Sequence, residues 1–95
     1  MEYPVSQSGP IAAWLATADI REVVGHHVLL NRRGLGRCPW PDRHKHGDRH
    51  PSFQVFERTQ RWWCYTEHIG GNAFDFLCRY EDLDARAMLQ RLGVW

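Results

Sequence analysis

PSFQVFERTQRWWCYTEHIGGNAFDFL, residues 51–77, is the stretch that decides the predicted fold. Its first half holds two aromatic and branched runs, residues 52–56 and 61–65, joined by the polar residues 57–60. Such runs favour β-strands, and a short polar connection favours an antiparallel hairpin. Two glycines and Asn72 then break the chain and can cap a helix over residues 73–81. The stretch therefore predicts a hairpin followed by a helix.

The flanking regions complete a prediction of the α+β class. Residues 1–10 predict a flexible leader, and the apolar spacing over residues 11–24 predicts one amphipathic helix or two short ones. The short apolar run 28–30 predicts a first strand, and residues 85–92 predict a last helix. We expect a small antiparallel sheet flanked by an N-terminal helix and two C-terminal helices, forming a single domain over residues 11–95.

Length and composition indicate a domain that needs a cross-link. The chain has 95 residues, of which 43% are hydrophobic, and a core of this size gives little stability by itself. It has three cysteines, but no apolar leader with a cleavage site and no run of about eighteen apolar residues. We therefore expect a reduced, cytoplasmic setting without disulfides, and no membrane partner.

Charge is distributed unevenly along the chain. The formal net charge is only +1, which excludes binding to nucleic acid through overall charge. Between residues 31 and 61, however, there are eight Lys or Arg residues and only three acidic ones. A local basic surface is therefore expected in the middle of the chain.

Cysteine and histidine spacing predicts one structural zinc ion. Cys38 lies in a polar loop, Cys64 ends the second strand of the hairpin, and His68 follows it by four positions. Thiolate and imidazole are the ligands that zinc prefers, and two distant knuckles can meet at one tetrahedral ion. The remaining ligand must come from one of the three loop histidines, His44, His46 or His50. The alternative is a solvated loop with two cysteines acting as small apolar residues. Cys78 lies on an apolar helix face, where core packing is expected.

These motifs, in this order, resemble a known family. The chain is similar to the Cys-His-Cys-Cys zinc-binding domain at the N-terminus of bacterial and phage DnaG-type DNA primases, a zinc ribbon. The resemblance covers residues 18–93 and rests on an ordered set of short motifs. These are Cys38-Pro39-Trp40, Pro51-Ser52-Phe53, Trp63-Cys64, Gly70-Gly71-Asn72 and Phe74-Asp75-Phe76-Leu77.

The first knuckle departs from the family pattern. Pro41 stands where the family has its histidine, and five extra residues separate Cys38 from Pro51. Counting back from Pro51, the resemblance places the ligand at His46, with His44 as the alternative. His50 is expected to be a surface residue.

The second knuckle departs as well. The resemblance places the fourth ligand at Glu67, whereas the neighbouring His68 carries the donor that binds zinc better beside thiolates. The preferred set is therefore Cys38, His46, Cys64 and His68, with Glu67 as an alternate. Such a closed site leaves no position for a catalytic water.

The resemblance implies a role in DNA replication and priming. In the family, this domain helps to recognise single-stranded template and works with a separate catalytic domain. Exposed aromatic side chains can stack on unpaired bases while basic ones bind phosphates. Alternation along the strands gives the hairpin two faces, but does not show which of them is bare. The binding candidates are Trp62, Arg61, Arg58, Phe56, Arg49 and Lys45.

No catalytic residues are expected. A polymerase needs an acidic cluster that holds two metal ions about 3.5–4 Å apart, and a chain this short leaves no room for the scaffold. We therefore expect a catalytic primase, polymerase or other replication protein in trans, and a phage or mobile-element source. One alternative is a protein-interaction module, suggested by near-neutral charge and several tryptophans. A small metalloenzyme using Glu67 or Asp75 as a base is the other.

Overall fold

The computed structural model describes residues 9–40 and 51–94. In chain order, the helices and strands are α1 (Pro10–Thr17), α2 (Ile20–Gly25), β1 (Leu35–Gly36), β2 (Phe53–Phe56), β3 (Arg61–Cys64), β4 (Ile69–Gly71), α3 (Ala73–Glu81) and α4 (Ala85–Leu92). The predicted α+β class is confirmed, with two short N-terminal helices. The expected leader lies almost entirely outside the described residues. Within the described ranges, no helix has the length and apolar character needed to cross a bilayer.

One antiparallel sheet organises the domain. The strands lie in the order β1-β2-β3-β4, and the predicted hairpin is confirmed as β2 and β3, with Phe53 opposite Cys64 and Phe56 opposite Arg61. Gln60 ends the hairpin turn with a positive φ of 57°. Its side chain accepts a 2.8 Å hydrogen bond from the Ile20 amide. The hairpin turn is thereby attached to the start of α2.

Both C-terminal helices begin where the sequence predicts. The Asn72 side chain accepts a hydrogen bond from the Asp75 amide, and the Asp75 carboxylate accepts one from the Asn72 amide. This reciprocal capping box starts α3 by satisfying two amides that have no partner inside the helix. Asp84 caps α4 through the Ala87 amide. The carboxylate of Asp75 is thus used in a cap, which does not fit its proposed role as a general base.

The core lies between one face of the sheet and the helices. The rings of Phe53 and Trp62 stack with centroids 5.5 Å apart, and the Phe76 ring meets Trp62 edge-on at 5.9 Å. Aromatic pairs in these arrangements add stability beyond the area that they bury. The largest fully buried side chains are Phe53, Phe76, Ile20, Met88, Val24 and Cys64.

The prediction of a first strand over residues 28–30 is wrong. Leu30 makes only an isolated bridge to Gly36, and the regular edge strand is β1. The reason is the Asn31 side chain, which accepts hydrogen bonds from the amides of Arg33 and Leu35 and folds the chain back on itself. Side-chain bonds of this kind compete with a strand ladder. Leu29 is left 94% exposed.

Gly34 is required in the turn before β1, and its replacement gives a first testable prediction. Its φ is +82°, and an added Cβ would lie 2.6 Å from the Val55 carbonyl oxygen. We expect Gly34→Ala to lower the free energy of unfolding by about 1–3 kcal/mol, measured by urea denaturation. Gly25→Ala is the matched control, because a Cβ there meets nothing within 4 Å. Equal stability of the two variants would contradict the prediction.

Candidate metal centre and nucleic-acid interface

Two cysteines from distant parts of the chain meet beside the sheet. Cys38 lies two residues after β1, and Cys64 is the last residue of β3. Their sulfur atoms are 3.2 Å apart, and both side chains are buried. The Phe53–Cys64 and Gly36–Phe53 strand pairs set this approach, because they bring the ends of β1 and β3 to the same end of the sheet.

The thiol pair fits half of a tetrahedral zinc site. Two Zn–S bonds of about 2.3 Å at a tetrahedral angle place the sulfurs about 3.8 Å apart. The two sulfur atoms would therefore have to move apart by about 0.6 Å to admit the ion. Among residues 9–40 and 51–94, no three His, Cys, Asp or Glu residues are grouped closely enough to hold a metal. The predicted loop ligands His46 and His44 lie outside the described residues, as does His50.

The turn between β3 and β4 carries the two competing candidates for the fourth ligand. The Glu67 amide donates a 3.4 Å hydrogen bond to the Cys64 sulfur, and Oε2 of Glu67 is buried. The His68 amide donates to the Cys64 carbonyl oxygen at 2.8 Å and closes the turn. His68 itself has a positive φ of 58° and an exposed side chain.

The environment of the Cys38 thiol favours its protonated form when no metal is bound. Burial raises the pKa of the Cys38 thiol to about 12, and the neighbouring Cys64 and the Glu67 carboxylate contribute to the rise. A divalent cation must therefore displace protons when it binds, and its charge offsets the cost of burying thiolates. Burial, with Asp75 and Asp84, also raises the pKa of Cys78, which packs against the core as predicted.

The opposite face of the hairpin presents aromatic side chains to solvent. Phe56, Trp63 and Tyr65 are 38%, 37% and 49% exposed. Trp63 lies between Gln54 on β2 and Gly70 on β4. A Cβ at Gly70 would come within 2.5 Å of the Trp63 ring, so the absent side chain leaves room for the indole.

This face forms a groove of about 340 Å³. Its lining residues are Phe56, Arg61, Trp62, Trp63, Tyr65, Gly70 and Gly71. Arg61 and the exposed Arg58 of the hairpin turn supply positive charge beside the aromatic rings. We call this surface the aromatic face.

The binding candidate Trp62 lies on the buried face of the hairpin. Trp62 is 2% exposed, and its Nε1 donates a 2.8 Å hydrogen bond to the Asn72 carbonyl oxygen. Alternation places it on the same side as the buried Cys64, so it cannot offer a ring to a base in this structure. Trp63 and Tyr65, which sequence reasoning missed, occupy the bare side. The sequence did contain a signal for this arrangement. Cys64 is a predicted zinc ligand and must face inward, and side chains alternate along a strand, so Trp62 faces inward with it and Trp63 and Tyr65 face outward.

The other binding candidates divide by location. Phe56 and Arg61 lie on the aromatic face, and Arg58 lies at its edge. Lys45 and Arg49 lie outside the described residues.

Most of the chain is similar to known proteins. The sequence model of the CHC2 zinc finger matches residues 7–93. A DNA primase from Geobacillus stearothermophilus is 38% identical over 79 residues, which cover 80% of this chain and 12% of that protein. A DNA primase from Synechocystis is 42% identical over 62 residues, covering 62% of this chain and 9% of the relative.

A solved structure agrees in fold. The crystal structure of the Aquifex aeolicus primase, comprising zinc-binding and RNA polymerase domains, aligns with a TM-score of 0.68 and 27% identity. The alignment covers 90% of this chain and 22% of that one. The chain thus spans about a tenth of the length of the curated relatives it matches, 9% and 12% in the two primases above. The comparisons give no support for a phage or mobile-element source.

Proposed function

Because this chain belongs to the CHC2 zinc-finger family of DnaG-type DNA primases, we propose that it recognises single-stranded template and acts with a separate catalytic subunit. The relatives that support this proposal are named DNA primases. The matched region corresponds to the zinc-binding part of the Aquifex protein, whose structure also contains an RNA polymerase domain. The expected catalytic partner would supply that second activity.

One structural zinc ion is part of this proposal. Cys38 and Cys64 supply two thiolates, and a histidine of the 41–50 segment supplies the third donor, with His46 ranked before His44. When bound, zinc would cross-link β1, β3 and the intervening segment. A domain of this size gains folding free energy from such a site. The zinc then stabilises the sheet on which the aromatic face is built.

The observation that carries the nucleic-acid role is the exposure of Trp63 beside Arg61. A ring that is 37% exposed on a groove lined by aromatic and basic side chains suits an unpaired base and its phosphate. Stacking of a base on an aromatic side chain contributes about 1–3 kcal/mol, and does so with little sequence preference. Phe56 and Tyr65 extend the same surface.

Binding to short single-stranded DNA tests this function. We expect Trp63→Ala to weaken binding by about 5- to 150-fold, the equivalent of one lost stacking contact. Arg61→Gln should reduce the slope of log K against log salt concentration by about 0.7, one phosphate contact on a single strand. Fluorescence anisotropy with a labelled oligonucleotide at two salt concentrations measures both effects.

Tyr80→Ala is the matched control for this titration. Tyr80 is also 37% exposed, but it lies on α3 away from the aromatic face, so its removal should leave DNA affinity unchanged. Wild-type binding that is independent of salt would contradict phosphate contact. The same affinity in Trp63→Ala would contradict stacking.

A protein-interaction module is the alternative function. Leu29 is 94% exposed, and it borders a cleft of about 770 Å³ that is also lined by Leu30, Leu35 and Pro39. Exposed apolar surface of this kind is typical of docking sites. Of the tryptophans that suggested this reading, Trp40 and Trp62 pack in or against the core. If the wild-type protein does not bind single-stranded DNA in the titration above, the protein-interaction function is the better explanation.

A further inference from the structure

We propose that a cleft at the β1 edge of the sheet docks a protein segment whose apolar side chains are flanked by Asp and Glu. The cleft measures about 770 Å³. We call it the leucine cleft, after the apolar side chains that line it, which are Leu29, Leu30, Leu35, Pro39 and Pro51. This role goes beyond DNA binding, because the groove of the aromatic face is lined mainly by residues of β3 and β4, toward the opposite edge of the sheet. Both sites can therefore be occupied at once.

The walls of the leucine cleft are fixed by backbone contacts. Leu30 bridges to Gly36, and the Asn31 amide donates a 2.8 Å hydrogen bond to the Leu35 carbonyl oxygen. A Cβ at Gly36 would lie 2.6 Å from the Leu29 carbonyl oxygen, so this close approach requires glycine. A partner would thus meet a surface that is already ordered, which lowers the entropic cost of docking.

The apolar surface of the cleft is continuous. Leu29 is 94% exposed, the highest value among the large apolar side chains of the described residues. A single exposed leucine is ordinary on a protein surface, but Leu29 shares the cleft with the half-buried Leu30 and Leu35. Grouped apolar side chains on a concave surface mark binding sites. The cleft therefore suits apolar side chains of a partner.

The surroundings of the leucine cleft carry positive charge only. Residues 23–40 contain no Asp or Glu, and their basic side chains, all exposed, are His26, His27, Arg32, Arg33 and Arg37. His27 and Arg37 line the cleft itself, and none of its described lining residues is acidic. A partner that places carboxylates beside its apolar side chains complements this surface.

The arginines beside the cleft are available to such a partner. Arg21 pairs with Glu57 at 3.0 Å and also donates to the Arg32 carbonyl oxygen, so the Glu57 carboxylate already has its cation. In the part of the chain that the structure describes, neither Arg32, Arg33 nor Arg37 forms an ion pair. Complementary charge of this kind speeds association and selects against wrong partners.

A protein segment suits the leucine cleft better than a nucleic acid does. Among the described lining residues, His27 alone has an aromatic ring, and that ring packs on Tyr80 with centroids 4.4 Å apart. Unpaired bases bind by stacking on open aromatic rings, whereas leucine and proline side chains pack against apolar side chains. The cleft therefore lacks the surface that makes the aromatic face suitable for DNA.

Selection from a random peptide display library, with the zinc-loaded full chain as the immobilised target, tests this inference. We expect the enriched peptides to combine apolar residues with Asp and Glu. The most enriched peptide is then synthesised with a fluorescent label, and its affinity is measured by fluorescence anisotropy. A library that yields no binder, or only binders without acidic residues, would overturn the inference.

Substitutions at the cleft show where the selected peptide binds. We expect Leu29→Asp and Arg37→Glu each to weaken binding by at least about tenfold, because each sets a new carboxylate against those of the peptide. Val94→Asp is the matched control, since Val94 is a 38% exposed apolar residue beyond α4 and should keep the wild-type affinity. Leu29→Asp changes an almost fully exposed side chain, so its thermal transition by circular dichroism should match that of the wild type. Equal peptide affinity of the wild type and Leu29→Asp would overturn the inference.

The DNA titration described above separates this inference from the proposed function. Trp63→Ala should lose DNA affinity and keep the peptide, whereas Leu29→Asp should lose the peptide and keep DNA affinity. If Leu29→Asp weakened DNA binding and left the peptide bound, the cleft would belong to the nucleic-acid site. Sedimentation of the wild-type chain alone checks a second copy as the occupant. A dimer that Leu29→Asp dissociates would overturn the assignment to an acidic partner.

Discussion

Replacing Cys64 with alanine is expected to remove zinc and unfold the domain. The side chain is completely buried, its sulfur lies 3.2 Å from that of Cys38, and the residue pairs with both neighbouring strands. Apparent binding free energies of structural zinc sites are about 10–16 kcal/mol at neutral pH, which is comparable with the whole stability of a domain. Little folded protein should remain without this contribution.

Metal analysis and circular dichroism measure the two effects of this substitution. We expect less than one tenth of the wild-type zinc per chain and a loss of the cooperative thermal transition. Cys78→Ala is the matched control, because it removes a thiol that packs against the core away from the thiol pair. Zinc should stay at the wild-type level in that control. A Cys64→Ala protein with full zinc content would refute the proposed metal centre.

Trp62→Ala is expected to lower the free energy of unfolding by about 3–5 kcal/mol, the usual cost of removing a large buried aromatic side chain. Trp62 is 2% exposed and contacts the rings of Phe53 and Phe76. Its loss also leaves the Asn72 carbonyl without the indole donor. Denaturation in urea with zinc kept in excess measures the change.

The neighbouring residue is the control for this substitution. Trp63→Ala should lower stability by less than about 1 kcal/mol, since its ring is partly in solvent and leaves no closed cavity. The same variant is the one expected to lose affinity for single-stranded DNA. Equal destabilisation by the two substitutions would show that the hairpin does not have one buried and one bare face.

Local chemistry made most of the fold predictable. The hairpin follows from two aromatic runs and a polar turn, and the start of α3 follows from Asn72 and Asp75, whose side chains satisfy the first helical amides. These signals act within a few residues of the element they define. The failed strand over residues 28–30 has a local cause too. The Asn31 side chain replaces ladder bonds there, and a run of apolar residues does not reveal that competition.

The sites were harder to predict because they depend on tertiary packing. Alternation separates Trp62 from Trp63, but which of them is inside is decided by the helices that cover the sheet. Donor chemistry favours His68 over Glu67, whereas the turn places the Glu67 backbone amide against the Cys64 sulfur and leaves the His68 side chain exposed. The histidines of residues 41–50 remain predictions from motif counting.

The Gly36–Phe53 pair has a consequence for how this domain tolerates change in length. This pairing closes the loop of residues 37–52, so the sheet itself holds both ends of the segment that carries the candidate histidines. The entropic cost of closing a loop grows only logarithmically with its length, so the five extra residues raise this cost by about 0.3 kcal/mol. Insertions at this point should leave the pairing of β1 with β2, and of β2 with β3, unchanged. The position is therefore one where sequences can diverge in length without losing the sheet.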